Sequence, residues 1–299
     1  MSAPTSENAS QISVVVAAWA GEARLAACLD SLAPQLAAGA ELIVAGALGP
    51  DLRARIQARH PSARLLAAPA DADVPTLRAL GAAQARGRLV ALIEDHCTVG
   101  PDWREALCAA HARGARILGG PVDNGVVERA FDWALFFCEY GVHLRPAPDG
   151  PADAVSGVNV AYDRAALARV ADVWRHALYE TEVNAALAPD GDRPWIAADA
   201  WVRSHLPMRL GEAMAHLFDG GRHFGGVRSA NERLPLRLAR VASAPAVAAL
   251  LFARIHRRVA ERDPRRLRAL WRGAGYCALL LGAWSAGEAV GALRGPERR

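Results

Sequence analysis

Three adjacent residues, Glu94-Asp95-His96, carry the clearest chemical signal in the chain. They follow directly on residues 88–93 (RLVALI), a short apolar run that reads as a buried strand. In open α/β sheets ligands bind beyond the carboxyl ends of strands, so polar side chains there are candidates for chemistry. Carboxylates at such a place suit Mg²⁺ or Mn²⁺. An imidazole suits Mg²⁺ less well and tilts the choice towards Mn²⁺. A bland reading, three polar residues ending a strand, stands beside this one.

The elements that must position this motif form an alternating series. Residues 12–18 (ISVVVAA) are β-branched and apolar, as expected of a parallel strand buried on both faces. Residues 22–36 place Leu25, Cys28, Leu29 and Leu32 at helical spacing. Strand-like runs at 41–45 and 63–67 alternate with helical segments at 52–59 and 76–85 before the run at 88–93. A helix is predicted over 101–113. Such alternation implies βαβ units with right-handed crossovers. The second half is less regular. We expect a strand and turn at 115–122, a helix at 131–142 and a mobile Pro/Gly loop at 144–152. Beyond these come an extended segment at 155–162, helices at 164–170 and 180–188, and one strand at 195–203.

The composition is that of a globular protein: 299 residues, 52% hydrophobic, with a net charge of +4. All 35 basic residues are arginine, and spread over the whole chain they give no case for nucleic acid. The five cysteines form no CxxC pair, which fits reduced and mostly buried thiols. The polar residues 1–11 lack the basic and apolar regions of a secretory signal, so a cytoplasmic protein is expected.

After about Leu234 the composition shifts. Residues 242–253 are apolar, residues 254–272 carry eight arginines, and residues 273–293 are apolar again with one charge, Glu288. A spanning helix needs roughly 20 apolar residues. The first run is too short, and the second holds five glycines. We therefore expect apolar faces lying in the membrane interface with arginines on anionic headgroups, peripheral on the inner face of the cell membrane. A helical hairpin packed on the main domain is the competing reading. The expected division is a flexible terminus at 1–11, the main domain at 12–235, a helical tail at 236–294 and a flexible end at 295–299.

Several segments, in order, resemble family 2 glycosyltransferases: SVVVAAWAGEARLAACLDSL at 13–32, LVALIEDHCTVGPDWREAL at 89–107, SGVNVAYDRAAL at 156–167, YETEVNAAL at 179–187 and GRHFGGV at 221–227. The resemblance covers most of residues 12–230. It implies an α/β, GT-A fold: a Rossmann-like, mostly parallel sheet flanked by helices, here with a C-terminal helical appendage. It also implies a nucleotide-diphosphate-sugar donor and inversion at the anomeric carbon. Glu94-Asp95-His96 matches the family's DxD position, with His96 where an aspartate is usual, so Glu94 and Asp95 are expected at the donor and Asp95 and His96 at a divalent cation. His205, after a late strand, is a further candidate ligand. Glu180 matches the family's general base, with one methylene more than the usual aspartate. Glu182, two residues on, is the weaker candidate, because on a helix it faces elsewhere. Trp19, Glu22 and Arg78 match donor-lining positions, and Arg222 is a candidate for the diphosphate. Gly157 and Asn159 match the acceptor side. The acidic residues that usually contact the base after the second strand are missing from Ala45-Gly46-Ala47-Leu48-Gly49.

The expected activity is cation-assisted transfer of a sugar to a hydroxyl acceptor, with the tail suggesting a lipid or lipid-linked one. Two alternatives remain: a degenerate relative that binds nucleotide or a partner without turnover, and a nucleotidyltransferase. Against the latter, residues 17–22 (AAWAGE) hold a single glycine where a phosphate loop would hold several.

Overall fold

The computed structural model describes residues 11–36, 39–206, 208–230 and 232–295. The ends expected to be flexible lie outside the described residues, apart from Gln11 and Gly295. In chain order the strands and α-helices are β1 (Ile12–Ala18), α1 (Glu22–Leu36), β2 (Glu41–Gly46), α2 (Pro50–Arg59), β3 (Arg64–Ala67), α3 (Val74–Ala82), β4 (Leu89–Glu94), β5 (Cys97–Val99), α4 (Trp103–Ala112), β6 (Ile117–Gly119), β7 (Val122–Asn124), α5 (Ala130–Tyr140), β8 (Gly150–Pro151), β9 (Asn159–Asp163), α6 (Arg164–Arg169), α7 (Ala171–Trp174), α8 (Glu180–Leu187), β10 (Pro194–Ile196), β11 (Val202–Ser204), α9 (Leu210–Arg228), α10 (Leu234–Arg262), α11 (Leu267–Arg272) and α12 (Ala274–Arg294).

The chain forms two compact units. One runs up to Gly125 and resumes over Arg145–Leu206; the other comprises Val126–Leu144 and the chain beyond Leu206. The helical unit thus takes in α5 and α9, more of the chain than the tail expected at 236–294.

The first unit is built on an eight-stranded sheet of order β3-β2-β1-β4-β9-β6-β10-β8. β1 runs parallel to β2 and β4, and β2 parallel to β3. β9 is antiparallel to both β4 and β6, so this half of the sheet is mixed rather than parallel. The central strands are almost wholly apolar and buried: every residue of β4 is buried, as is every residue of β1 except Ala18. α1 buries the four residues expected of it. Asp73 caps α3 by accepting the Thr76 N–H at 3.0 Å. Chain order reverses between β1 and β4, and in such sheets the reversal point opens the crevice at the strands' carboxyl ends.

Two expectations are corrected. The single strand expected at 195–203 is two strands in different sheets: β10 joins the large sheet, and β11 lies between β5 and β7 in a second, three-stranded one. The Ala200 N–H bonds back to the Ala197 carbonyl at 3.0 Å, which makes the turn between them. The loop expected at 144–152 contributes β8, which pairs with β10.

In the second unit the glycines that weaken a spanning reading serve packing instead. A Cβ added at Gly287 of α12 would lie 2.0 Å from the Phe218 carbonyl oxygen of α9, and one at Gly221 would lie 2.1 Å from the Trp284 carbonyl oxygen. The two backbones touch, and only glycine permits it. Gly287→Val is expected to destabilise the protein by roughly 1–3 kcal/mol or more. Gly282→Ala, with nothing within 4 Å of its added Cβ, serves as the control. It should be neutral or slightly stabilising, since alanine is the better helix former. Urea denaturation of the two variants checks this.

Candidate active site

The carboxyl ends of β1 and β4 meet over one pair of carboxylates, and the two are treated differently. Glu94 is surrounded by donors. The Arg78 guanidinium donates to its Oε1, the Trp19 indole Nε1 donates to its Oε2 at 2.9 Å, and His96 Nδ1 lies 3.5 Å from the same Oε2. Burial alone would raise this carboxyl, but the charges of Arg78 and His96 and these hydrogen bonds hold it below the usual range. Asp95 makes no ion pair among the described residues. Its Oδ2 accepts the Trp19 and Ala20 backbone N–H groups at 3.0 and 2.9 Å. Burial pushes it up to about 7, against the pull of those two amides and helped by the charge of Glu94. The loop that supplies both amides can fold over Asp95 because Gly21 follows at φ 102°, in the left-handed region that favours glycine.

A pocket of about 190 Å³ opens beside this pair. Its walls include Trp19, Gly21, Glu22 and Asp95, with Leu48 after β2 and Pro69 after β3. Trp19 is 42% exposed although its indole N–H is bonded to Glu94, and its ring meets His96 edge-on at 5.7 Å. A large aromatic face is therefore held rigid and left bare at a pocket mouth. Glu22 lines the pocket and pairs with Arg55 at 2.7 Å. The walls after β2 and β3 escaped the sequence reading, which looked there only for an acidic residue. Their signal was positional: all of these loops leave the same edge of the sheet as Glu94 and Asp95.

Arg78 links the pair to a third carboxylate. It is buried on α3, and its Nη1 lies 3.4 Å from Glu180 Oε2 at the start of α8. Burial would lower the guanidinium, but Glu94 and Glu180 more than offset this and keep it charged. Gly157 closes the cluster: a Cβ there would lie 2.6 Å from Glu180 Oε2 and 3.0 Å from Arg78 Nη1. Gly157→Ala should therefore push Glu180 off its position while leaving the fold intact. Near 1 Å of misplacement costs roughly 10²-fold in rate. Steady-state kinetics beside an unchanged melting curve would read this out.

The structure thus gathers Trp19, Glu22, Arg78, Glu94, Asp95, His96, Gly157 and Glu180 into one neighbourhood of the first unit. Asn159, Arg222, Glu182 and His205 are the other candidates. Asn159, expected on the acceptor side, is 1% exposed; its Oδ1 accepts the Trp103 indole N–H at 2.8 Å, and its Nδ2 donates to the Ala200 carbonyl at 2.7 Å. Both ends of its amide serve the core. Arg222 lies on α9 in the second unit, pairs with Asp219 at 3.3 Å, and is not among the residues lining the pocket. Glu182 sits two residues beyond Glu180 on α8, half-buried. His205 follows β11. Its backbone N–H donates to the His96 carbonyl at 2.8 Å, and its Nε2 lies 3.2 Å from Thr98 Oγ1.

Among the described residues no three His, Cys, Asp or Glu side chains are grouped as a ready metal cage, so Asp95, His96 and His205 do not form one. That arrangement fits a cation that arrives with a diphosphate. Mg²⁺ in particular usually takes one or two carboxylates, keeps water, and draws its other ligands from substrate phosphates. The buried, uncompensated carboxylate of Asp95 on the pocket wall is the observation that fits such a cation.

No family model matches the chain, and no curated protein matches it. Solved structures do. The mannosyltransferase PcManGT from Pyrobaculum calidifontis, in complex with GDP-Man and Mn²⁺, is 17% identical over 95% of this chain and 89% of its own, with a TM-score of 0.54. GalNAc-T7, with UDP, GalNAc and Mn²⁺, is 16% identical over 66% of this chain and 44% of its own, with a TM-score of 0.50. Likeness at such low identity speaks for architecture, and the architecture of this chain is the GT-A fold of glycosyltransferases.

Proposed function

We propose that the protein is a glycosyltransferase that moves a sugar from a nucleotide-diphosphate donor to a hydroxyl acceptor with inversion, assisted by a divalent cation. The observation that carries this reading is the joining of a nucleoside-sized pocket and a candidate base through one buried cation: Asp95 and Trp19 on the pocket wall, Glu94 behind them, and Arg78 reaching from Glu94 to Glu180.

In this reading the bare indole of Trp19 stacks on the base. The walls after β2 and β3 are apolar where they meet it, so shape and stacking select the base more than hydrogen bonds do. Asp95 and His96 are the residues that would hold a cation. When bound, it neutralises charge developing on the leaving diphosphate. The GDP-Man, UDP and Mn²⁺ in the two similar structures support both the donor class and the metal. Glu180 accepts the proton of the acceptor hydroxyl as its oxygen attacks the anomeric carbon from the far side. One carboxylate suffices, because the nucleoside diphosphate departs with little protonation. Arg78 holds the Glu180 carboxylate, and Gly157 leaves room for it.

A membrane surface is the proposed setting, on the inner face of the cell membrane, with a lipid or lipid-linked acceptor. In support, α10 and α12 are both long and apolar enough to cross a membrane, and little of the apolar stretch of α10 is buried. Arginines crowd the segment between them.

His96 in place of the usual aspartate, and the missing acidic residues after β2, favour a second reading, a relative that binds nucleotide without turnover. Calorimetry with UDP and GDP, with and without Mn²⁺, tests the pocket. Saturable binding strengthened by Mn²⁺ is expected, and no binding of either nucleotide would remove the donor site.

A further inference from the structure

A cavity of about 600 Å³ lies wholly within the helical unit. It falls within the roughly 300–1,000 Å³ of small-molecule sites. One wall is a single face of α10: Arg240, Ala244, Val247, Leu251 and Arg254 recur at spacings of four and three, and all line the cavity. This face is apolar in the middle and ends in an arginine on each side, about 21 Å apart along the axis at 1.5 Å per residue. The facing wall on α12 includes Leu281, Trp284 and Ser285.

Charge and hydrogen bonding leave this groove incomplete at defined points. Arg240 is bonded to Glu232 at 2.7 Å. The two carboxylates on the lining each have a basic partner: Glu288 lies 3.4 Å from Arg228, and Glu139 lies 3.4 Å from His216. Arg254 has no ion-pair partner among the described residues. Ser285 is 3% exposed, and its hydroxyl has no hydrogen-bond partner among the described residues. The apolar middle of α10 is also uncovered, since its buried residues are confined to Ile255 and Val259 near one end. A long apolar trough with a spare cation at one end and an unsatisfied hydroxyl on its wall matches an amphiphile with an anionic head.

We propose that this groove is a discrete binding site for one membrane lipid, its alkyl chain lying between α10 and α12 and its anionic head meeting Arg254. This rests on the membrane setting proposed above but goes beyond surface adsorption: it assigns a saturable site with one occupant.

The test titrates the full chain calorimetrically with dodecyl phosphate below its micelle concentration, and in parallel with inorganic phosphate. Saturable one-to-one binding of dodecyl phosphate is expected, with no detectable binding of phosphate alone. Val247→Trp, which fills the trough, should weaken dodecyl phosphate binding by at least about tenfold. Arg254→Gln should weaken it by about three- to tenfold and flatten its salt dependence. Unchanged melting curves show that both variants fold. Sedimentation with phosphatidylglycerol vesicles separates this site from the membrane reading, because wild type and Val247→Trp should bind vesicles alike. Dodecyl phosphate binding that is indifferent to Val247→Trp would overturn the site, as would equal binding of inorganic phosphate. A wild-type dimer that Val247→Trp dissociates would assign the groove to a second copy of the chain and overturn it as well.

Discussion

Asp95→Asn should make the protein more stable and inactive at the same time. The folded state holds this carboxyl at about 7, far above the 3.9 or so of an unfolded aspartate. A group raised in this way costs stability once pH exceeds its unfolded value, and the cost is complete above its folded value. At pH 8 the shift corresponds to about 4 kcal/mol at 1.36 kcal/mol per unit. Asparagine removes the charge, and its single oxygen can still accept both the Trp19 and Ala20 amides where Oδ2 now does. The variant should therefore melt several degrees above wild type at pH 8. The gap should shrink as pH falls through 7 and close near pH 4, where aspartate is protonated in both states. Turnover should fall by roughly 10²–10³-fold, the range seen when one transition-state stabiliser is lost. Melting curves from pH 4 to 8 beside a rate assay check both halves. A variant less stable than wild type at pH 8 would show that the Asp95 carboxylate is compensated in a way its two amide donors do not account for. Retaining such a carboxylate against its cost is the usual signature of a site kept for function.

Glu180→Gln should lower kcat by roughly 10²–10⁴-fold while leaving donor affinity near wild type. Glutamine keeps the shape of the side chain and can still accept from Arg78 Nη1, 3.4 Å away in the native protein, but it cannot take a proton. Glu182→Gln is the matched control and should stay near wild-type activity, because Glu182 lies two residues round the same helix. If the two variants lose activity equally, the base has been misassigned. If donor affinity collapses together with kcat in Glu180→Gln, the residue acts through Arg78 on the donor side rather than on the acceptor proton.

The half of the fold up to α4 was legible because its central strands are buried on both faces and its helices on one. Continuous runs such as ISVVVAA and periodic ones such as Leu25, Cys28, Leu29 and Leu32 leave little choice. The half beyond it was less so. Its strands from β6 onward are two to five residues long, too short to show a period. Residues 195–203 read as one strand because apolar residues flank Ala198, Asp199 and Ala200 on both sides, but a turn there sends the two ends into different sheets. At the site, position along the strand order was enough to find Glu94 and Asp95. The opposite treatment of the two was invisible, since it depends on Arg78 from α3 and on amides from the loop after β1. The hydrogen bonds of Asn159 were invisible for the same reason: its partners, Trp103 and Ala200, are distant in sequence. The glycines of α12 argued against a spanning helix by composition, yet their contact with α9 is set by where the two backbones meet.

The most direct test of the central claim is turnover of a panel of nucleotide-diphosphate sugars, assayed with Mn²⁺, with Mg²⁺ and with EDTA, on wild type and on Glu180→Gln. Turnover of a donor by wild type is expected in the presence of a divalent cation, abolished by EDTA and lost in the variant. Turnover that survives EDTA would contradict the role given to Asp95 and His96. Turnover unchanged in Glu180→Gln would contradict the assignment of the base and, with it, the reading of Arg78 and Gly157 as the groups that position it.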